Sequence, residues 1–303
     1  MSLDLTQNIR RHGFKRLLLA VSGGLDSICL AHYFIANSET LGIEWLGIAH
    51  VHHGLREGTA DRDAAFVEAF AKAHDVPFFL KKLDGKALKN ADGSLEENAR
   101  EARYKALLEI TQDPSTTNLR FSAQDDTLNA SKMTDVTIVT AHHAGDQAET
   151  MYMRLRRGTT LAGLRGIQEV RSNIYRPFLN VTRAELLAYA RENNLKWCED
   201  ESNSDVKFAR NKVRHVYLPQ LARGYCDAAT QLCRSASLAD KAYAKVMDKC
   251  NELFNPIVSL EKEMPELVGH DKSLDPAPSN LYETRLFRVL VELSSMGITQ
   301  LRN

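Results

Sequence analysis

The stretch LLLAVSGGLDSICLAHYF (residues 17–34) passes without a break from an apolar run, through a glycine pair, into an apolar-rich helical pattern. A short continuous run such as LLLAV (17–21) suits a strand covered on both faces. Ile28, Leu30, Ala31, Tyr33 and Phe34 then suit a helix packed on that strand. Between the two, Ser22-Gly23-Gly24-Leu25-Asp26-Ser27 falls at the carboxyl end of the strand, where open parallel sheets bind ligands. The glycines expose backbone N–H groups at a helix N-terminus, where the dipole favours an anion. Two hydroxyls add donors for phosphate oxygens. Asp26 is repelled by a bare phosphate and makes more sense as a ligand of a bridging Mg²⁺. The string matches neither G-x-x-x-x-G-K-[ST] nor G-x-G-x-x-G. The plainer alternative is a glycine turn with Ser22 or Asp26 as a helix cap.

Outward from this loop, the pattern alternates. IEWLGIAHV (43–51), PFFLKKL (77–83) and TDVTIVTAHH (134–143) read as strands. DRDAAFVEAFAKAHD (61–75), SLEENAREARYKALLEIT (94–111) and DQAETMYMRLRRG (146–158) read as helices, with Ser94 and Glu97 resembling a capping box. The expected class is α/β: right-handed βαβ units forming a Rossmann-like parallel sheet with helices on both faces. Residues 111–133 are polar and aperiodic, and are expected to form a mobile surface insertion. From about 222 the pattern is helical, with a break expected over the Pro- and Gly-containing span 256–280 and helix again to 293. The expected domains are therefore 1–220 and a smaller all-helical 221–303.

Composition sets the class of protein. A chain of 303 residues with 44% hydrophobic and 26% charged residues can bury a sizeable core. Its five cysteines include no C-x-x-C pair, which points to reduced thiols and away from a disulfide framework or a cysteine-bound cluster. No apolar run approaches the ~20 residues of a membrane helix, and the apolar part of RRHGFKRLLLAV (10–21) is too short for a secretion signal. A cytoplasmic protein with no membrane partner is expected. The net charge is zero, yet residues 151–220 carry 13 Lys and Arg against 7 Asp and Glu. That excess reads either as the footprint of a polyanion or as a solvated arginine-rich face.

Further motifs follow. His50-Val51-His52-His53-Gly54-Leu55-Arg56 ends the second strand, and no Cys or carboxylate stands at ligand spacing to make it a metal site. In Ala141-His142-His143-Ala144-Gly145-Asp146-Gln147-Ala148-Glu149-Thr150, Asp146 and Glu149 lie three apart at a helix start and share one face. Such a pair can hold an ammonium or a metal, or simply complement the helix dipole. Arg100 and Arg103 share a helix face and suit phosphates, or pair with Glu96, Glu97 or Glu101. Arg210, Lys212 and Arg214, interleaved with Asn211, suit backbone phosphates. Trp197 either stacks on a base or packs in the core.

Taken together these strings resemble a known family. Ser-Gly-Gly-x-Asp-Ser after the first strand looks like the pyrophosphate loop of the N-type ATP pyrophosphatases (PP-loop enzymes), which split ATP into AMP and pyrophosphate to activate a carbonyl oxygen. The histidine motif at 50–56, the 141–150 block, Ala99-Arg100-Glu101-Ala102-Arg103-Tyr104, Arg176-Pro177-Phe178-Leu179 and Phe208–Arg214 follow in the order found in the tRNA(Ile)-lysidine synthetases, over roughly residues 15–220. The resemblance implies an adenine nucleotide α-hydrolase-like fold and a ligase that joins free L-lysine to C2 of the wobble cytidine of a tRNA(Ile) with a CAU anticodon. ATP and Mg²⁺ are the implied cofactors, and a homodimer is kept open. Ser22, Gly23, Gly24, Leu25, Asp26, Ser27, His50, His52, Arg100 and Arg103 would bind the nucleotide, with Asp26 on the metal. His142, Asp146 and Asp26 would serve catalysis, and Asp146 with Glu149 the lysine. Arg154, Arg157, Arg176, Arg210, Asn211 and Arg214 would face tRNA. One departure is visible: Gly145 stands where the family has the first Asp of a pair, with altered tuning the expected result. The rivals are another PP-loop tRNA-modifying enzyme, such as a cytidine thiolase, and a silent nucleotide-binding module. Cluster-dependent thiolases need the C-x-x-C that this chain lacks.

Overall fold

A computed structural model describes residues 3–54, 59–112, 136–199, 209–224 and 228–263, with backbone alone at 96, 209, 224 and 251–263. The chain divides into two compact units, Met1–Ser237 and Leu238–Asn303. The first unit is built on a six-stranded sheet of order β3-β2-β1-β4-β6-β5. Its strands are β1 (Arg16–Ala20), β2 (Trp45–His52), β3 (Phe78–Lys82), β4 (Val136–Val139), β5 (Val170–Arg171) and β6 (Ile174–Tyr175). β1 to β4 and β6 run parallel, and β5 closes the edge as an antiparallel partner of β6.

The apolar run is explained by its position. β1 lies between β2 and β4, and Leu17, Leu18 and Leu19 are fully buried. Leu17 and Leu19 join the cluster on one face with Ile28 and Phe34 of α2 (Leu25–Ala36). Leu18 joins Leu107 and Ile110 on the other. Each buried leucine contributes roughly 1.5–3 kcal/mol.

Around the sheet lie α1 (Thr6–Arg10), α3 (Ser38–Leu41), α4 (Thr59–Ala73), α5 (Gly85–Asn90) and α6 (Leu95–Gln112). After β4 come α7 (Ala144–Arg157), α8 (Leu161–Leu164) and α9 (Arg183–Glu192). Then follow α10 (Ala209–Lys212), a π-helical turn (Val213–Tyr217), α11 (Leu218–Gly224) and α12 (Ala228–Glu263). α9 packs on α2: Leu186 and Ala190 enter the core, and the Tyr189 hydroxyl meets His32 Nδ1 at 2.8 Å.

Three features differ from expectation. β4 ends at Val139, well before 143: Thr140 still donates to the Tyr175 carbonyl of β6 (3.0 Å), but 141–143 form no strand pairing and His143 caps α7. The β5–β6 hairpin has strands too short for any hydrophobic period to register. α12 runs past Pro256 to Glu263, where a break was expected. A helical proline loses one hydrogen bond and crowds the preceding turn, and here the helix continues in spite of it. Trp197 packs against the main core, so packing explains it without a base. Most of the 111–133 insertion, the Leu55–Arg56 end of the histidine motif and residues 200–208 lie outside the described residues.

Candidate active site

The loop after β1 is held open from within. Gly23 takes φ +94°, a left-handed value that a side chain disfavours, and a Cβ there would also touch Val67. Ser27 Oγ donates to the Gly24 carbonyl (3.0 Å) and accepts from the Ser22 N–H (3.1 Å). The Ser22 and Ser27 hydroxyls are 3.1 Å apart. Gly24 is the N-cap of α2 and supplies no side-chain cap, so the first N–H groups of that helix take no hydrogen bond from an N-cap side chain. Neither Ser22 nor Asp26 caps α2, so the plain-turn alternative is not what forms. The Cys198 N–H donates to the Gly23 carbonyl (2.9 Å), fastening the segment after α9 to the loop.

Asp26 projects from the first turn of α2. Burial pushes its carboxyl above the usual range and Asp146 adds to this, while His143, Arg183 and Arg214 pull the other way. Its Oδ1 is buried with no hydrogen-bond partner. A hard cation takes carboxylate oxygens and keeps other positions for water and phosphate, so Asp26 fits a single protein ligand to phosphate-bound Mg²⁺. Among the described residues no group of three or more His, Cys, Asp and Glu could hold a metal alone.

The histidine strand end lies beside this loop. His50 Nδ1 donates to the Val21 carbonyl (2.8 Å), and burial holds its pKa below the ordinary value. The same ring is thus neutral with its tautomer set. His52 Nδ1 accepts from the Gly54 N–H (3.1 Å), and its Nε2 lies 3.4 Å from Asp61.

The second half of the site comes from α7. His143 is its N-cap: the ring Nδ1 accepts from the Gly145 N–H (2.9 Å), and the His143 N–H donates to Asp146 Oδ2 (3.0 Å). A neutral ring accepting at Nδ1 carries its hydrogen on Nε2. That nitrogen stands 3.7 Å from Asp26 Oδ2 and 3.8 Å from Asp146 Oδ2. Two carboxylates from separate motifs therefore meet across one imidazole. The family resemblance assigned a role to His142 and none to His143; the spacing His-x-x-Asp at a helix start is the signal that could have found it.

Asp146 and Glu149 are paired internally. Arg210 reaches Glu149 with Nε (2.8 Å) and Asp146 with Nη2 (3.2 Å). Arg214 reaches Glu149 with Nε (2.5 Å) and Asp146 with Nη2 (3.4 Å). Glu149 is 1% exposed. Burial alone raises the Asp146 carboxyl, but His143, Arg210, His142 and the backbone donor together hold it below the usual range. Dipole complementation is thus too small a role for these acids.

His142 is held neutral. Burial and the guanidinium groups of Arg176, Arg100 and Arg103 depress it to about 3, against the opposing pull of Asp146. Its Nδ1 lies 2.9 Å from the Thr140 hydroxyl. Arg100 and Arg103 lie 5.5 and 5.9 Å from the ring centroid of Tyr104, the last residue of their own motif.

The arginines expected on RNA separate into groups. Arg210 and Arg214 lie on carboxylates, and Asn211 is half-buried between them. Arg154 donates to the carbonyls of Gly163 (2.6 Å) and Gly166 (2.9 Å), tying down the loop after α7. Gln147 ties the same loop through reciprocal bonds to Ile167. Arg176 is 5% exposed and donates to the Gln168 carbonyl, so it serves the fold and offers no face to a macromolecule. Arg157 is exposed at the end of α7.

Comparison with known proteins identifies the family of the chain. A PP-loop domain profile matches residues 2–221. The chain is 36% identical over 245 residues to a tRNA(Ile)-lysidine synthase of Pseudomonas fluorescens, covering 78% of this chain and 50% of that protein. It is 37% identical over 226 residues to another of Geobacter sulfurreducens, covering 74% of this chain and 44% of that one. The chain thus spans about half the length of the curated relatives it matches. Among solved structures, the U34-tRNA thiolase NcsA of Methanococcus maripaludis, described with its [4Fe-4S] cluster, shares the fold. That match has a TM-score of 0.55 at 16% identity and covers 78% of both chains.

Proposed function

The chain belongs to the PP-loop family, and from that premise we propose that it forms lysidine on tRNA(Ile) by ATP-dependent ligation of free lysine. The observation that carries this reading is the meeting of Asp26 and Asp146 across His143 Nε2, at 3.7 and 3.8 Å. It sets a phosphate-loop carboxylate beside a carboxylate suited to an ammonium, as a reaction between an activated nucleotide and an amine requires.

In the proposed sequence the first N–H groups of α2 and the Ser22 and Ser27 hydroxyls hold the ATP phosphates. Mg²⁺ on Asp26 would offset phosphate charge when bound. The C2 carbonyl oxygen of the wobble cytidine attacks the α-phosphate, and pyrophosphate leaves. Asp146 and Glu149 receive the lysine ε-ammonium in place of part of their arginine contacts. The ammonium gives up one proton to water, and the free amine attacks C2, where the C2–O bond breaks as AMP leaves. His142, held at about 3, is neutral at pH 7 and accepts a hydrogen bond from the amine. A group that weakly basic does not retain the proton, which leaves with the departing AMP phosphate. The ligase class, Mg²⁺, lysine, the CAU anticodon and a homodimer belong to this proposal. So does the division of labour, with residues 1–220 carrying the chemistry and 221–303 assisting tRNA contact. Arg157 is the expected RNA contact left at the surface of α7.

Mass analysis of tRNA(Ile) nucleosides after incubation with ATP and lysine tests the reading. A cytidine heavier by lysine less water is expected with the wild type, and none with Asp26→Ala or Asp146→Ala. Pyrophosphate release that needs neither lysine nor tRNA overturns it. Sulfur incorporation in place of lysine would identify a thiolase.

A further inference from the structure

Six residues of the phosphate loop, Ser22–Ser27, include an acid and no Lys or Arg. A triphosphate bound there would meet one like charge and no side-chain cation from the loop itself. α9 supplies one. Arg183 stands 3.6 Å from Asp26 Oδ2 through Nη1, and its side chain is 59% exposed at the mouth of the loop.

Local stability gives little reason for an arginine at this place. Residue 183 opens α9 directly after the Thr182 N-cap, where the helix dipole disfavours a cation. An exposed ion pair at 3.6 Å returns little against that. The backbone beneath it is firmly placed. Leu186 and Ala190 are buried against α2, Cys29 Sγ lies 3.4 Å from the Leu186 carbonyl, and the segment after α9 is bonded to Gly23. α9 and the segment after it thereby meet the loop at two points, Arg183 at Asp26 and Cys198 at Gly23.

The geometry points to Arg183 as a binding residue for the pyrophosphate end of the nucleotide. Resting on the proposed ATP-splitting reaction, this inference adds a side-chain cation to the backbone donors of α2. Its planar fork suits two oxygens of one phosphate or of neighbouring phosphates. Asp26 holds the guanidinium at the loop mouth. When a metal-bound triphosphate arrives, the arm needs only a rotamer change to move from carboxylate to phosphate. The contact persists with the product, so Arg183 also retains pyrophosphate until the amine step is committed.

Calorimetric titration of the whole 303-residue chain with inorganic pyrophosphate, with and without Mg²⁺, tests this directly. Arg183→Ala is expected to weaken binding by roughly tenfold to a hundredfold in both conditions, as loss of a charge-assisted bond predicts. Arg183→Lys should recover part of it. The KM for ATP should rise while the KM for lysine stays constant, and the melting temperature should stay within a few degrees. Wild-type binding with unchanged binding by Arg183→Ala overturns the role of Arg183 alone. A loss seen only with Mg²⁺ also overturns it, because Arg183 would then act merely through Asp26. No binding by the wild type overturns the ATP-splitting reading itself.

Discussion

The two ends of the candidate site are built on opposite principles. At the Ser22–Ser27 loop, α2 starts without a side-chain cap, Asp26 Oδ1 has no hydrogen-bond partner, and burial works against the Asp26 charge. At the start of α7 every carboxylate is matched, with Glu149 between two guanidinium groups and Asp146 beneath them. The first end is left incomplete for a ligand to finish. The second is complete without one, so an incoming ammonium has to displace contacts that already exist. A triphosphate should therefore bind the free protein more readily than lysine does.

Neutralising one acid at each end breaks the comparison most sharply. Glu149→Gln leaves two partly buried guanidinium groups to share Asp146 alone and should lower stability by about 3 kcal/mol in denaturant titration. Asp26→Asn should act with the opposite sign. An unfolded Asp ionises near 3.8, and the folded Asp26 carboxyl ionises above that value. Ionisation thus withdraws stability as pH climbs through the interval, and the amide avoids that loss. Asp26→Asn should be more stable than wild type at pH 7, with the advantage gone well below pH 3.8. A destabilised Asp26→Asn would show that the loop acid is as fully matched as Glu149.

A smaller effect sharpens the link between the ends. A Cβ on Gly145 would lie 2.6 Å from His143 Cε1 and 3.0 Å from its Nδ1. Gly145→Asp, which supplies the acid that the family resemblance led us to expect there, should push the His143 ring out of its place between Asp26 and Asp146. Pyrophosphate release should slow by roughly tenfold to a hundredfold, as a displacement near 1 Å can cause. A Gly145→Asp variant as fast as wild type would remove His143 from the proposed chemistry. The departure from the family pattern is therefore tied to the imidazole two residues earlier, a coupling stronger than the altered tuning expected from sequence.

The smallest effect is a titration. His142 and His53 ionise at about 3 and about 4 in the folded chain, His53 chiefly through burial and the nearby Arg103 charge. Unfolded histidines bind protons near 6.5, so these two withdraw stability as pH falls from about 6.5 toward 4. His142→Gln should flatten that decline in thermal melts between pH 7 and 5. An unchanged slope would mean that the ring takes up its proton over the same pH range in the fold as in the unfolded chain.

What could be read in the sequence was local. LLLAV, the glycine pair and the apolar spacing of α2 each state their structure within a few residues, and β1 to β3 with the helices between them followed. The phosphate loop was legible for the same reason. What escaped depended on chain segments meeting in space. Arg210 and Arg214 carry the composition of an RNA-facing patch, yet their partners lie on α7 and show only in three dimensions. Arg176 belongs to the same basic block and is buried beneath it. Arg183 had no role assigned from the sequence; its distance from Asp26 marks one. The two-residue strands β5 and β6 are too brief for alternation to emerge.

The hydrogen bond from the Cys198 N–H to the Gly23 carbonyl has a bearing on how the protein comes to life on the ribosome. The phosphate loop is synthesised early, but the peptide that braces it arrives only after β6 and α9 have emerged. A nascent chain stalled before Cys198 would carry the whole Ser22–Ser27 string and still lack its brace. Nucleotide affinity should then appear late in translation, in one step, as a sign that the sheet edge has closed.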